Sequence, residues 1–387
     1  MRIKKIEARS ILDSRKKPTI EISVKTAKGN FISSAPSGES KGRFEAKPYA
    51  RSLKQDIEFL NKIKVEKLNK FKLEEFKDLK EIEGLFGRTI GANSLFAFEA
   101  SILKALSAEQ EKELWKFLSK GKPKFPFPIG NTIGGGMHSF SKHPDFQEFL
   151  FINKTRKFYE RVFLNQQAYK IAGGLINAEK TEDEGAWYSS LNNEEALEIM
   201  KLTKELVKKE LGENIDIGVD TAASTFFTGK NYSYKNKKEL LNREQQINYI
   251  VTLINNREIE YIEDPLEQGD FEGFAEVKGR VKGMVVGDDL TVTNLLRLKK
   301  AIQNKSINAI IVKPNQNGSL IKVKEIMDFC KKREIKTIIS HRSGETLDTT
   351  IADLAVAWKS DFIKTGIQGR EREAKLNRII EIERSVG

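Results

Sequence analysis

The 387-residue sequence contains one cysteine, Cys330, and only three histidines. A single cysteine excludes an intrachain disulfide, and so few histidines leave little room for a Cys/His zinc centre. No apolar run approaches the roughly 18 residues that a membrane-spanning helix needs. The first residues, Met1 to Lys5, lack the apolar stretch of a signal peptide. We therefore expect a soluble, cytoplasmic protein.

Apolar and charged residues are both plentiful. Hydrophobic residues make up 39% of the chain and charged residues 32%, with a net charge of +12. This composition supports a sizeable core, and the length suggests two domains or a small domain plus a large barrel. The positive charge is compatible with nucleic acid or an anionic small molecule as partner, but it is spread along the chain and no nucleic-acid motif of known type is present.

The N-terminal part has two different patterns. Apolar residues alternate with polar ones from Ile20 to Val24, and the turn at residues 27–30 predicts a small antiparallel sheet. Residues 45–119 have helical spacing. Residues 120–128 then contain three of the nine prolines, which end helices and favour an extended linker. We expect an N-terminal α+β domain over residues 1–122 and a second domain over residues 128–387.

The second domain alternates short apolar runs with amphipathic helices. One helix is predicted over residues 193–211, ending at Gly212. Six apolar runs read as strands, at residues 215–219, 259–262, 283–287, 308–312, 336–340 and 360–363. Such alternation predicts a parallel sheet. The number of units favours a closed eight-stranded barrel.

Chemically active side chains follow each predicted strand. In order they are Asp220, Glu263, Asp288, Lys313, His341 with Arg342, and Lys364. From Glu263 onward they are spaced by about 25 residues, the length of one strand, one helix and two loops of a barrel. These side chains should therefore share the C-terminal rim, where barrel enzymes carry their active sites.

The order of these residues suggests their chemistry. Asp220, Glu263 and Asp288 offer an arc of hard oxygen ligands that suits Mg²⁺. Lys313 opposite such a cluster could have a depressed pKa and act as a general base. Arg342 suits a phosphate or a carboxylate, so the cations form an anion site facing the metal site.

A second carboxylate pair and two loops complete the candidates. Glu148, between aromatic residues, and Glu184 could include a carboxylic acid with raised pKa that protonates a leaving group. The polar loop at residues 36–42 could close over the barrel mouth. The Gly-rich segment at residues 134–138 could bring His138 to the rim.

Seven motifs together resemble the enolase family, the phosphopyruvate hydratases. They are Ile11-Leu-Asp-Ser-Arg15, Pro36-Ser-Gly, Gln147-Glu-Phe, Asp183-Glu-Gly, Ile262-Glu-Asp-Pro265, Gly287-Asp-Asp-Leu-Thr-Val-Thr-Asn294 and Ser340-His-Arg-Ser-Gly-Glu-Thr346, with Lys364-Thr-Gly after them. The resemblance implies a small N-terminal α+β capping domain and a modified (β/α)8 TIM-type barrel whose first strands form a hairpin. It also implies a lyase that dehydrates 2-phosphoglycerate reversibly to phosphoenolpyruvate, in glycolysis, with two Mg²⁺ ions per site.

The same resemblance implies a role for each matching residue. Lys313 would remove the C2 proton, and Glu184, with Glu148 beside it, would protonate the leaving hydroxide. Asp220, Glu263 and Asp288 would hold the first Mg²⁺, and Ser40 would help hold the second. The substrate would be bound by Gln147, His341, Arg342, Ser343 and Lys364, and His138 would approach it from its loop.

Some positions depart from the family pattern. Glu39 and Lys41 replace small residues in the loop around Ser40, and Ala186 replaces a glycine near Glu184. Glu381 stands where the family has an arginine that pairs across the dimer with the residue matching Glu21. A homo-oligomer is expected, but without that ion pair.

These departures keep one alternative open, and the net charge of +12 keeps a second. One is an enolase-like paralogue that acts on another 2-hydroxy or phosphorylated acid. The other is a protein that binds RNA or a protein partner through its basic surface.

Overall fold

A computed structural model describes residues 1–38, 42–136, 143–155 and 157–387. The N-terminal part contains an antiparallel sheet of three strands: β1 (Lys5–Leu12), β2 (Pro18–Lys25) and β3 (Asn30–Ser34). Strands β2 and β3 are the predicted hairpin, whereas β1 was not predicted. In β1, Ile6 and Ala8 face the core and alternate with exposed residues, and this pattern is too short to predict a strand from the sequence.

Five helices follow the sheet, as the helical spacing of residues 45–119 predicted. They are α1 (Leu53–Asn61), α2 (Val65–Leu68), α3 (Leu79–Phe86), α4 (Ala92–Glu109) and α5 (Leu114–Leu118), with a 3-10 turn at Phe76–Asp78. Helix α4 lies across the sheet and is buried on nearly every side, because the barrel covers the face that the sheet leaves open. The small domain is therefore packed onto the barrel through α4.

The remaining strands confirm the predicted closed barrel. Its eight strands are β4 (Phe127–Gly134), β5 (Glu148–Ile152), β6 (Asp216–Asp220), β9 (Ile259–Glu263), β10 (Met284–Gly287), β11 (Ala309–Val312), β12 (Lys336–Ser340) and β13 (Phe362–Lys364). A separate hairpin of β7 (Tyr232–Tyr234) and β8 (Glu239–Leu241) lies outside the barrel and was not predicted. All six apolar runs in the second domain correspond to barrel strands.

Helices surround the barrel. They are α6 (Phe158–Leu175), α7 (Asn193–Leu211), α8 (Arg243–Arg257), α9 (Phe271–Arg280), α10 (Leu295–Gln303), α11 (Pro314–Asn317), α12 (Leu320–Lys332), α13 (Thr350–Ala357) and α14 (Arg370–Val386), with a 3-10 turn at Ala223–Phe226. Helix α7 has the predicted bounds: Asn192 caps its first turn, and Gly212 ends it with a φ of 73°. Among the described residues, no helix combines the length and apolar character that crossing a bilayer requires.

The direction of the first strands decides where their residues lie. Strand β5 is antiparallel to both β4 and β6, while the other neighbouring pairs are parallel. The first residue of β5 therefore lies at the same rim as the last residues of β6 and β9. The register aligns Glu148 with Asp220, and Asp220 with Glu263, in one row across three strands.

Candidate active site

Three carboxylates and one lysine form the centre of the rim. Glu148, Asp220 and Glu263 are all at most 3% exposed, and their oxygens lie within 4.8 Å of one another. The Lys364 ammonium, from the end of β13, lies 3.0 Å from Asp220 Oδ2 and 2.8 Å from Glu263 Oε2, and also contacts Glu148. Strand register thus brings residues 216 positions apart in sequence into one charge cluster.

Burial and mutual repulsion make this cluster electrostatically demanding. Burial raises the pKa of Glu263 to about 8, with the neighbouring Asp220 charge adding to the effect. Burial also raises the pKa of Glu148 well above its usual range, as its aromatic surroundings led us to expect. Burial opposes the charge of Lys364, but Asp220 and the two glutamates raise the pKa of that ammonium well above its usual range. The acids outnumber the lysine, so the cluster favours further positive charge.

Lys313 and Asp288 form an ion pair beside this cluster. Lys313 follows β11, and its Nζ contacts Asp288 Oδ2 at the end of β10. Burial, the largest single influence, would lower the pKa of Lys313, but the Asp288 and Glu263 carboxylates together outweigh burial and raise it. The depressed Lys313 pKa expected from the sequence concerns a lysine that faces a bound metal ion, so it stays a prediction for the metal-bound site.

The donor set fits a divalent cation. Glu263 Oε1 and Asp288 Oδ1 are buried and accept no hydrogen bond from any residue that the structure describes, which is costly for carboxylate oxygens unless a cation satisfies them. Oxygens of Asp264, Asp288 and Asp289 form a second group within 4.8 Å of one another. Asp288 thus belongs to a group with Asp264 and Asp289, which was not predicted from the sequence, and this group lies next to the row that contains Asp220 and Glu263.

Asp264 shapes this second group through the backbone. Its carboxylate accepts hydrogen bonds from the N–H groups of Asp288 at 3.1 Å and Asp289 at 2.6 Å. Burial and the neighbouring Asp289 raise the pKa of Asp264 well above its usual range. Asp264 therefore fixes the turn that carries Asp288, although the sequence offered only its position after Glu263 as a signal.

Glu184 lies against His341 on the opposite side. Its Oε2 is 3.7 Å from His341 Nε2, and both side chains are buried. Arg372 donates from Nη1 to His341 Nδ1 at 3.1 Å, so Nδ1 is the acceptor and the ring proton is on Nε2, toward Glu184. Burial, together with the Arg372 charge, lowers the pKa of His341 well below its usual range and keeps the ring neutral.

Arg372 was not identified as a candidate residue from the sequence. It is 2% exposed and also binds the backbone carbonyls of Asp183, Glu184 and Ser343, at 2.9 to 3.1 Å. It therefore joins the loop carrying Glu184 to the loop carrying His341. Its position in α14, three residues after Gly369, gave no local signal of this role.

The predicted anion-binding residues line the same cavity as the acids. This cavity of about 30 Å³ is bordered by Gln147, Glu148, Glu184, Asp220, Lys313, His341, Arg342, Ser343 and Lys364, with Gly38 and Ser340. Gln147 donates to Asp220 Oδ2 at 3.5 Å. A larger cavity of about 510 Å³ lies on the small sheet near Lys5 and Asn30, but it contains none of these groups. We therefore assign the chemistry to the barrel rim.

Arg342 is paired with a residue that the sequence reasoning did not single out. Its Nη1 and Nη2 each lie 3.1 Å from an oxygen of Glu45, which belongs to the small domain. The only sequence signal of Glu45 is its position three residues after Gly42. Ser40 and His138, predicted for metal and substrate, lie outside the described residues, as do Glu39 and Lys41. Ala186 is fully buried.

Family models match nearly the whole chain. The model described as "Enolase, N-terminal domain" matches residues 3–118, and the model described as "Enolase, C-terminal TIM barrel domain" matches residues 122–387. The second match covers the barrel and every described candidate residue at its rim.

Curated relatives give the same result. The chain is 38% identical to an enolase of Methanosphaera stadtmanae, with 98% of this chain and 96% of that protein covered. It is 36% identical to an enolase of Methanothermobacter thermautotrophicus and 37% identical to one of Archaeoglobus fulgidus, in both cases over 99% of this chain and 97% of the relative. With both family models and these near full-length relatives in agreement, the chain belongs to the enolase family of hydro-lyases.

Proposed function

We propose that this protein interconverts 2-phospho-D-glycerate and phosphoenolpyruvate, the phosphopyruvate hydratase step of glycolysis and gluconeogenesis. Dehydration removes a proton from C2 and hydroxide from C3, so it requires a base and an acid around one substrate. One observation carries the proposal: Lys313 and Glu184, a candidate base and acid, line one buried cavity with Lys364, Arg342 and a row of carboxylates.

Lys313 is the proposed base. Its backbone N–H donates to Thr293 Oγ1 at 2.9 Å, and its Nζ contacts Asp288, so the side chain is directed into the cavity. In its neutral form, Nζ would accept the C2 proton. The electron pair left behind would form an enolate whose extra charge falls on the substrate carboxylate.

Glu184 is the proposed acid. Its backbone carbonyl accepts from Arg372, and its carboxylate faces the neutral His341 ring. Glu184 would give its proton to the hydroxide that leaves C3, so that water departs. Glu148 lies within 4.8 Å of both residues and would assist in holding the proton on this side.

Asp220, Glu263 and Asp288 are the proposed holders of Mg²⁺, and the unsatisfied oxygens of Glu263 and Asp288 support this role. When bound, Mg²⁺ would supply positive charge that stabilises the doubly negative carboxylate of the enolate. A second Mg²⁺ near Ser40 belongs to the same proposal. Lys364, which already contacts Asp220 and Glu263, would bind the substrate carboxylate from the same side.

The phosphate would be bound by Arg342 and Ser343, in the loop that follows β12. Arginine presents donors in a planar fork that matches a phosphate, and both residues border the cavity. Gln147 and His341 would contact the substrate from neighbouring strands. His138 would approach from its own loop.

We propose three further properties of the whole molecule. The units are a capping domain over residues 1–122 and a barrel over residues 128–387, and the glycolytic role makes the cytoplasm the expected compartment. The protein is expected to form a homo-oligomer without the family's Glu–Arg pair, because Glu21 accepts from Arg9 at 2.6 Å and Glu381 lies 3.5 Å from Arg378 of its own chain. Light scattering coupled to size-exclusion chromatography would measure its size.

A direct assay tests the function. Formation of phosphoenolpyruvate from 2-phosphoglycerate should be observed by ultraviolet absorbance, disappear on chelation with EDTA and return on addition of Mg²⁺. Lys313→Met should lower kcat by about 10³-fold, because the base is lost. Lys324→Met is the matched control, since Lys324 pairs with the exposed Asp328 of the same helix, α12.

The outcome that contradicts the proposal is equally clear. A folded wild-type protein with no Mg²⁺-dependent turnover of 2-phosphoglycerate, or a Lys313→Met variant as active as the control, would refute it. Turnover of another 2-hydroxy or phosphorylated acid in a substrate panel, with none of 2-phosphoglycerate, would support the paralogue instead.

A further inference from the structure

Glu45 links the small domain to the proposed phosphate-binding arginine. Its Oε2 accepts from Arg342 Nη1 and its Oε1 from Arg342 Nη2, both at 3.1 Å, although the two residues are 297 positions apart. The side chains are 9% and 4% exposed. A two-pronged, buried contact of this kind fixes both the position and the plane of a guanidinium group.

The same carboxylate makes two further contacts. Glu45 Oε1 also accepts from the backbone N–H of Gly42 at 2.9 Å and from Gln316 Nε2 at 3.1 Å. Gln316 belongs to α11, the short helix that begins directly after Lys313. Glu45 thus contacts the end of the polar loop, the arginine and the segment after the proposed base.

This connection continues to the proposed base through hydrogen bonds. Gln316 Oε1 accepts from the Thr293 hydroxyl at 2.8 Å, and Thr293 Oγ1 accepts from the Lys313 backbone N–H at 2.9 Å. An unbroken chain therefore runs from the backbone of Lys313 through Thr293, Gln316 and Glu45 to the guanidinium of Arg342. All of these groups are buried or nearly so, where hydrogen bonds hold geometry most firmly.

Arg342 needs such support because of where it lies. It borders both the inner cavity with the acids and a second cavity of about 340 Å³ that contains Lys17, Tyr49 and Asn93. The guanidinium packs closely on the loop backbone: a Cβ added to Gly38 would lie 1.9 Å from Nη2. An arginine between two cavities has more than one direction available, and the fork from Glu45 selects one of them.

We propose that Glu45 is a positioning residue that fixes the Arg342 guanidinium for the substrate phosphate and ties that position to the segment carrying Lys313. This inference rests on the proposed role of Arg342 in phosphate binding. The fork uses one N–H of each terminal nitrogen, and a guanidinium has five N–H donors. The fork therefore does not by itself exhaust the donors of Arg342.

The test combines substrate kinetics with direct binding. Glu45→Gln keeps the size of the side chain but removes the charge that holds the fork. We expect it to raise KM for 2-phosphoglycerate about tenfold, with a smaller fall in kcat, and to weaken binding of phosphoenolpyruvate in calorimetry by a similar factor. Glu45→Asp keeps the charge but is shorter by one methylene, so it should raise KM about threefold.

A double-mutant cycle separates positioning from general damage. In an Arg342→Lys background the fork is already gone, so adding Glu45→Gln should change KM by less than about twofold. Asp353→Asn is the matched control, because the buried Asp353 forms a two-pronged pair with Arg378, which is 19% exposed. It should lower the melting temperature without changing KM.

The contrary results are distinct from a failure of the proposed function. If the wild type is active but Glu45→Gln leaves KM and phosphoenolpyruvate binding within twofold of wild type, or tightens binding, the positioning role is wrong. An effect of Glu45→Gln that persists in full in the Arg342→Lys background also overturns it. If the wild type lacks turnover, the proposed function fails, while the binding measurements still test the pairing of Glu45 with Arg342.

Discussion

A buried ion pair between the domains should make the stability of this protein sensitive to acid. Lys104 of α4 lies 2.7 Å from Asp348 Oδ2, in the barrel loop after β12. The same carboxylate accepts from the Ser33 hydroxyl at 2.6 Å and from the Thr350 N–H at 2.8 Å. Burial would raise the pKa of Asp348, but Lys104 and these hydrogen bonds outweigh it and lower the pKa to about 2.

The size of the effect follows from this pKa. The unperturbed value is 3.8, so the shift to about 2 corresponds to about 2 kcal/mol of folding free energy. Because the folded-state pKa is depressed, this stabilisation is present above pH 4 or so and is lost as the pH falls toward about 2. Asp348→Asn keeps the shape and cannot titrate. It should cost about 2 kcal/mol at neutral pH and progressively less in acid.

Urea unfolding of wild type and Asp348→Asn, at a series of pH values from about 7 down to about 3, measures this difference. Glu74→Gln is the control: Glu74 pairs with Lys72 at 2.9 Å, but the side chains are 53% and 82% exposed. It should change unfolding at no pH, because exposed pairs contribute little. A difference between wild type and Asp348→Asn that stays constant across the series would refute the reasoning.

Three further changes probe other buried groups. Burial, with Glu83 nearby, raises the pKa of Glu99 well above its usual range, so the contribution of Glu99 to the stability of the wild type should fall as the pH rises past the ordinary carboxyl range. Glu99→Gln, which can still accept from the Leu320 N–H, should remove that fall in urea unfolding. Gly185→Ala should lower both kcat and stability, the latter by about 1 to 2 kcal/mol, since φ is +82° and the new Cβ would lie 2.4 Å from the Gln368 carbonyl oxygen. Burial raises the pKa of the Cys330 thiol to about 12, so a thiol-specific reagent should modify it only after unfolding. If the folded protein reacted as fast as a free thiol in solution, this expectation would be contradicted.

The strand ends were predictable because their signals are local. Each apolar run is contiguous, and the polar residue that follows it is directed to one rim once the strands are parallel. The row of Glu148, Asp220 and Glu263 needed one more step, since β5 runs antiparallel and presents its first residue to that rim. The resemblance to the enolases implied that hairpin, whereas composition and periodicity alone did not.

Glu45 and Arg372 were not predictable in the same way. Each acts through partners that are distant in sequence: Glu45 binds a residue 297 positions away, and Arg372 joins carbonyls of two separate loops. No pattern in the neighbouring residues marks either one. Their roles arise from the docking of the small domain on the barrel and of α14 on the rim, which are properties of the tertiary structure.

The pairing of charges at the rim indicates what the binding of an anionic substrate involves. Each proposed substrate-binding or catalytic cation already has an acid as partner: Lys313 has Asp288, Arg342 has Glu45, and Lys364 has the acidic row. An anionic substrate that drew Lys313 and Lys364 away would leave buried carboxylates without countercharge, which is strongly unfavourable. A divalent cation held by those carboxylates would remove this cost, so we expect the binding of metal and of substrate to this rim to favour each other.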